Sequence, residues 1–231
     1  MTPWAGLLLF DKPQGWTSHD AVAAVRRMLP RGTKVGHCGT LDPLATGLLM
    51  ILIGAWTRLQ QRLQGLDKEY SGIVRLGLTT DTGDITGREL LRRPVAELTL
   101  DDLQKAVERR IGRIETAAPA YSAVKHEGRR LYEYARAGVE VPVKPRVSTV
   151  YEWRALAYRA PDLSHRMRCS SGTYVRSLAE LLGADLGCGA TVAALRRDAV
   201  ERFRVEDAVT MEQLKVMTLP QLRLRLESTT L

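Results

Sequence analysis

The sequence predicts an α/β fold, with strands and helices alternating along one domain of 231 residues. Three observations carry this expectation. Gly6 to Phe10, Leu44 to Ile53 and Tyr70 to Leu78 are short runs with the length and composition of strands. Between them lie stretches with apolar residues at helical spacing, such as Ala21, Val22, Val25 and Leu29. Val147 to Tyr158, followed by His165 to Cys169, reads as a β-hairpin. Hydrophobic residues make up 45% of the chain, enough for a real core. No internal repeat, low-complexity segment or linker divides it.

In chain order, the first strand runs into Asp11-Lys12-Pro13-Gln14-Gly15, a turn. Lys12 is there either as a solvated turn lysine or as a phosphate contact. Thr17 or Ser18 can cap the helix that follows, and Pro30-Arg31-Gly32 stops it. Arg31 to Gly36 has the flavour of a phosphate-binding loop, but it misses the Gly-x-x-x-x-Gly-Lys-Ser/Thr spacing, which excludes nucleotide hydrolysis. Gly36 to Met50 then holds a single carboxylate, Asp42, beside Gly39 and Pro43 and ahead of an apolar strand. A polar group on a stiffened loop leading into buried scaffold is a common way to display a reactive side chain. An Asx-turn before a strand is the plainer alternative.

Trp56 to Leu63 reads as a short amphipathic helix with Arg58 and Arg62 facing solvent. Lys68 and Tyr70 open the next strand and face the same side of it. Asp81 to Gly87 lacks the ligand spacing of a calcium loop and reads as turns. Thr99 caps a helix reaching about Ile111, with Leu103, Ala106, Val107 and Ile111 on one face. Ala118 to Val141 is the most basic and tyrosine-rich part, carrying Lys125, His126, Arg129, Arg130, Tyr132, Tyr134 and Arg136. Such interleaving fits a surface that grips phosphates and stacks bases, or else a solvated helix packed through Leu131, Tyr134 and Ala135. After the hairpin, Thr173 is the expected N-cap of a helix buried through Leu178, Leu181 and Leu182. That places Arg176 in the first turn, where a cation opposes the helix dipole, so an anion is expected near it. Val209 to Met217 reads as the last helix.

Lys plus Arg is 34 against 26 for Asp plus Glu, a net charge of +8 that suits a polyanionic partner. Three spaced cysteines and four histidines form no zinc pattern, and the thiols are expected reduced in a cytoplasmic protein. The longest apolar run is too short to span a bilayer, and no signal peptide is evident.

Several of these blocks together resemble the TruB family, the tRNA pseudouridine-55 synthases. Gly36 to Gly47 matches Gly-His-x-Gly-x-Leu-Asp-Pro-x-Ala-x-Gly, and Asp11 to Ser18 matches Asp-Lys-Pro-x-Gly-x-Thr-Ser. Lys68 to Tyr70, Tyr121 to Lys125, Leu131 to Gly138, Gly172 to Arg176 and Leu195 to Arg197 match further motifs in family order. The resemblance runs from about Leu7 to Val209, and Ala118 departs from it where a second proline is usual. It implies the pseudouridine synthase fold, a mixed, largely antiparallel sheet flanked by helices, with a thumb-like RNA-clamping insertion at about 119–145. It also implies isomerisation of a uridine in the T-loop of tRNA, without metal or cofactor. Asp42 would be the catalytic carboxylate, as nucleophile or as base; Tyr70 would stack on the flipped uracil, and Arg176 would pair with Asp42. His37 would lie near the RNA, Tyr174 would line the pocket and Leu195 would wall it. Lys12, Lys68, Lys125, Arg129 and Arg130 would contact the substrate. The implied partner is the tRNA T-arm, met by a monomer with no obligatory protein partner. Residues 1–231 leave no room for the C-terminal PUA domain of longer members. Two alternatives are a non-catalytic RNA-binding or tRNA-folding module and a guide-RNA-dependent rRNA pseudouridine synthase.

Overall fold

A computed structural model describes residues 4–122, 124–139 and 141–226. In chain order the first elements are β1 (Gly6–Lys12), α1 (Ser18–Met28), β2 (Val35–Cys38), β3 (Thr46–Ile53), α2 (Gln60–Gln64) and β4 (Lys68–Leu76). Then follow β5 (Leu78–Thr80), β6 (Glu89–Arg92), α3 (Leu100–Glu108), β7 (Gly112–Thr116), β8 (Lys125–His126), β9 (Arg129–Arg130) and α4 (Leu131–Arg136). The last are β10 (Arg146–Arg159), β11 (Asp162–Cys169), α5 (Val175–Asp185), β12 (Ala190–Val200), β13 (Phe203–Arg204), α6 (Met211–Val216) and α7 (Leu219–Leu224). The chain forms two compact units, Met1–Glu69 with Arg196–Leu231, and Tyr70–Leu195. Both boundaries fall inside strands, β4 and β12, which is why no shift in composition marks them.

In the first unit β3 is the central strand. Seven of its eight residues are buried, so it reads as one apolar run rather than an alternating one. β1 pairs antiparallel along one edge, from Gly6 opposite Ile53 to Lys12 opposite Gly47. The other edge is shared: β2 pairs antiparallel with its second half, and Arg196 and Arg197 of β12 pair parallel with Thr46 and Gly47. Leu7, Leu9, Leu48, Met50 and Leu52 cluster with Cys38, Leu63, Val200, Phe203 and Val205, and Trp56 and Leu59 pack against them. α1 starts as expected, with Thr17 as N-cap in a capping box closed by Asp20, and it buries Ala21, Val22 and Val25. The stretch from Trp56 begins as a 3-10 turn and becomes α2, with Leu63 buried and Arg58 and Arg62 exposed. The C-terminal expectation needs correction. The stretch from Val209 to Met217 does form a helix, α6, but it is not the last one: α7 follows it, and the two are capped by the boxes Thr210–Gln213 and Thr218–Gln221.

In the second unit the strand order is β12-β4-β11-β10-β7, with β10 antiparallel to both β11 and β7. The expected hairpin is β10 and β11, longer than the alternation suggested because a two-residue turn joins them. β4 ends at Leu76 instead of Leu78. Gly77 turns the chain with φ +76, and a Cβ there would sit 2.6 Å from the Arg93 carbonyl oxygen. α3 has the expected Thr99 capping box but stops at Glu108, leaving Ile111 41% exposed and off the buried face. Thr173 is not the N-cap of α5. Its hydroxyl donates to the Ser170 carbonyl, and Tyr174 takes the cap position.

The core of this unit buries an imidazole. His165 is 1% exposed, with its ring edge-on to Trp153 at 5.9 Å between centroids. Burial pushes its pKa from 6.5 down to about 4. The unfolded chain takes up this proton near pH 6.5 and the folded chain only near pH 4. The stability that neutral His165 contributes is therefore present above pH 6.5 and lost as pH falls towards 4, by roughly 3 kcal/mol in total. His165→Leu is expected to flatten the acid limb of a melting-temperature profile between pH 7 and 4. An acid limb as steep as the wild type's would show that this histidine does not set it.

Candidate active site

The loop that carries Asp42 is fixed by its neighbours in the first unit. The Leu41 amide donates to the Ser18 hydroxyl at 2.9 Å, and that hydroxyl donates to the Leu41 carbonyl at 3.2 Å. The Gly15 amide donates to the Pro43 carbonyl at 2.8 Å, and the Ala45 amide to the Asp42 carbonyl at 3.1 Å. Arg197 completes the frame. It is 1% exposed, and its guanidinium donates through Nε to the Leu48 carbonyl at 2.7 Å and through Nη2 to the Gly39 carbonyl at 2.9 Å. Arg196 and Arg197 are successive residues of a strand and so point to opposite faces. Arg196 faces outward and grips Asp11 with two bonds, at 2.7 and 3.1 Å. Strand β12 approaches so closely that a Cβ on Gly47, φ +99, would lie 2.3 Å from the Arg197 carbonyl oxygen. The Asp42 side chain is half-buried on this frame.

Beside it Lys12 is fully buried, and its ammonium donates to the Trp16 carbonyl at 2.7 Å and the Pro13 carbonyl at 3.0 Å. Burial pulls its pKa down to about 8, while the charge of Asp42 acts the other way. Neither sequence reading of Lys12 describes this: a residue with no exposed surface is neither a solvated turn lysine nor a surface phosphate contact. Lys12 closes the turn next to Asp42 from inside. Lys68 is buried as well, and its ammonium donates to the carbonyls of Gln64 and Leu66 at the end of α2. That gives Lys68 a structural task at the position proposed for substrate contact. His37 is half-buried in β2, its ring edge-on to His19 at 5.4 Å between centroids. Cys38 is buried, which pushes its thiol up to about 11 and makes it no nucleophile at neutral pH.

In the second unit Tyr70 is 8% exposed near the start of β4, while Tyr174 and Leu195 are half-buried. Arg176 lies in the first turn of α5, as expected, and is buried. Its guanidinium donates to the Thr82 carbonyl at 2.6 Å and the Tyr121 carbonyl at 3.0 Å. Thr82 belongs to the segment read as plain turns. That segment is organised by buried Asp84, whose carboxylate accepts from the hydroxyls of Thr82 and Thr86 and from the Thr86 amide. In the basic segment β8 and β9 form a miniature hairpin, with Lys125 opposite Arg130 and His126 opposite Arg129. Lys125 and Arg129 are exposed and Arg130 is half-buried. The tyrosine faces here are already met by cations: Arg129 lies 5.0 Å from the Tyr134 ring centroid and Arg136 lies 5.4 Å from that of Tyr132. Of the expected packing residues only Leu131 is buried. Ala123 and Glu140, within the expected insertion, lie outside the described residues. Among the described residues no group of three or more His, Cys, Asp or Glu is placed to hold a metal ion.

Residues 26–175, including the Asp42 loop, match the TruB family pseudouridylate synthase N-terminal domain. The chain belongs to the TruB family. Residues 176–225 match the tRNA pseudouridylate synthase B C-terminal domain. Among TruB relatives, tRNA pseudouridine synthase B of Opitutus terrae is 44% identical over 96% of this chain and 91% of its own length. The protein of the same name from Azoarcus sp. is 46% identical over 91% of this chain and 69% of its own. Of solved structures, a chain of a Cbf5-Nop10-Gar1 complex matches with a TM-score of 0.68 at 29% identity, over 90% of this chain and 52% of that one. A chain of an H/ACA RNP bound to a substrate RNA gives 0.65 at 26% identity, over 90% and 51%. This TruB chain thus spans about half the length of those two solved chains. The higher identity, over more of each protein, lies with the tRNA synthases, and the guide-RNA-dependent alternative is not favoured.

Within the TruB chain the first unit holds Lys12, His37, Asp42 and Lys68, with Lys12 near enough to feel the Asp42 charge, and the second holds Tyr70, Lys125, Arg129, Arg130, Tyr174, Arg176 and Leu195. Sequence reading missed Ser18, Asp84 and Arg197. For Arg197 a signal exists: two adjacent arginines in a strand cannot both face water if one side of that strand is buried.

Proposed function

We propose that this chain isomerises a uridine in the T-loop of tRNA, at position 55, to pseudouridine. The N1–C1′ bond breaks, the freed uracil turns, and C5 joins C1′ while the C5 proton is lost and N1 takes one up. Nothing is oxidised or reduced. Asp42 supplies the carboxylate, Arg176 pairs with it, and Tyr70 stacks on the flipped base and is placed to help remove the C5 proton. Tyr174 and Leu195 line the uracil pocket, and His37 faces the RNA where the base has left its stack. Lys125, Arg129 and Arg130, in the basic insertion, hold tRNA phosphates. The protein acts as a cytoplasmic monomer without an obligatory protein partner, as one catalytic domain.

The observation that carries this reading is the Asp42 loop. A half-buried carboxylate stands at the position of the family's catalytic aspartate, on a loop tied by Gly15, Ser18 and Arg197. Such fixing serves a group that must meet its substrate in one geometry, as nucleophile or as base. The test is tritium release from tRNA labelled at C5 of uridine, because joining through C5 expels that hydrogen. Steady release from transcribed tRNA, confined to the T-loop uridine, is the expected result. Tight tRNA binding with no release would favour the RNA-folding module instead.

A further inference from the structure

From Ala21 to Leu41 the chain carries Arg26, Arg27, Arg31 and Lys34 and no acidic residue. In the first unit all four line one cleft of about 720 Å³, whose wall includes Pro30, Gly32, Thr33, Gly36 and Thr57. All four side chains are exposed, and none has a carboxylate partner among the described residues. The end of α1 accounts for two of them. Arg26 and Arg27 lie in its last turn, where cations suit the helix dipole, and they donate to the Val35 and Ala23 carbonyls. It does not account for Arg31 and Lys34, which lie beyond the helix and whose side chains make no hydrogen bond or ion pair among the described residues. Four uncompensated cations around one cleft repel each other, and the cost is relieved when a polyanion enters. Val35 and Gly36 of the cleft wall also open β2, the strand that carries His37. At strand spacing Lys34 and His37 are about 10 Å apart along the chain.

We propose that this cleft binds backbone phosphates of the substrate tRNA, with Arg31 and Lys34 as the principal contacts. The proposal rests on the tRNA reading above and adds a second place where the RNA is held. Contacts of this kind fix the position of the strand and carry no base information. The loop lacks the Gly-x-x-x-x-Gly-Lys-Ser/Thr spacing of a P-loop nucleotide site. A lone inorganic anion does not call for four cations in an open cleft.

The test is the double variant Arg31→Gln/Lys34→Gln, compared with Lys215→Gln/Arg225→Gln, which removes equal charge from exposed positions on α6 and just past α7. Dissociation constants for unmodified tRNA are measured across a salt series. The cleft variant is expected to bind roughly tenfold more weakly, with the log–log salt slope reduced by about 1.5 to 2. Its KM is expected to rise in parallel while kcat stays within about twofold, and its melting temperature to match the wild type. An unchanged affinity and slope would overturn the proposal. So would an equal loss in the control variant, which would reduce the effect to net charge. Inhibition by inorganic phosphate beyond that of chloride at equal ionic strength would point to a small-anion site instead. Because the readout is binding, a wild type that binds tRNA but releases no tritium counts against the proposed reaction and leaves the cleft tested.

Discussion

Asp42→Asn is expected to lower tritium release by at least about 10³-fold, on the order of 4 kcal/mol of barrier, while tRNA binding stays close to that of wild type. The two side chains have nearly the same shape. The bonds to Ser18, Gly15, Ala45 and Arg197 that hold this loop engage main-chain atoms at positions 39, 41, 42 and 43, so the substitution leaves them in place. What changes is charge. Asp42 favours the protonated form of buried Lys12, so in the Asn variant the Lys12 pKa falls below its wild-type value of about 8. A small change in melting temperature with a near-complete loss of release is therefore the expected pair of results. Release at wild-type rate would place the chemistry on another residue. Parallel loss of release and of binding would assign Asp42 to holding RNA.

Arg197→Met is expected to destabilise the fold by about 3–5 kcal/mol, a drop in melting temperature of roughly 10 °C for a chain this long. The methionine fills much of the volume but strands the Leu48 and Gly39 carbonyls in a buried site. The Gly39 carbonyl lies three residues before Asp42, so the loop is expected to shift as well. A displacement near 1 Å at the reacting group costs about 10²-fold in kcat. Arg197→Lys keeps the charge but not the fork, and should recover stability in part and kcat less. Urea melts combined with kcat measured well below the transition separate the two effects. A Met variant within about 1 kcal/mol of wild type would show that the clamp is dispensable.

The sequence made α1, β3, α3 and the β10–β11 hairpin readable because each has a strong local signal. A Thr-x-x-Asp box opens each of the two helices, an unbroken apolar run fills β3, and alternation marks the hairpin. β2 was hidden inside the Asp42 motif because Val-Gly-His-Cys has no alternation, and its pairing is set by β3, not by its own pattern. α7 lies beyond the expected last helix and has little periodicity of its own, since it is short, with a proline near its start and only Leu222 buried. Of the candidate residues, the place of Arg176 in the first turn of α5 could be read from position. The burial of Lys12 and Lys68 could not. A lysine signals exposure, and only tertiary packing shows that its ammonium has been given to carbonyls.

The clamp on the Asp42 loop also fixes when the site can exist. Arg197 reaches back 158 residues to Gly39 and 149 to Leu48, and Arg196 reaches 185 to Asp11. At ordinary elongation rates the loop waits on the order of 10–30 s for its anchor to be synthesised. A nascent chain therefore carries the complete aspartate motif, with its ties to Gly15 and Ser18, long before it carries the arginine that completes the frame. Ribosome-bound chains stalled before residue 196 should leave this loop open to proteolysis, and competence would arrive in one step with the twelfth strand.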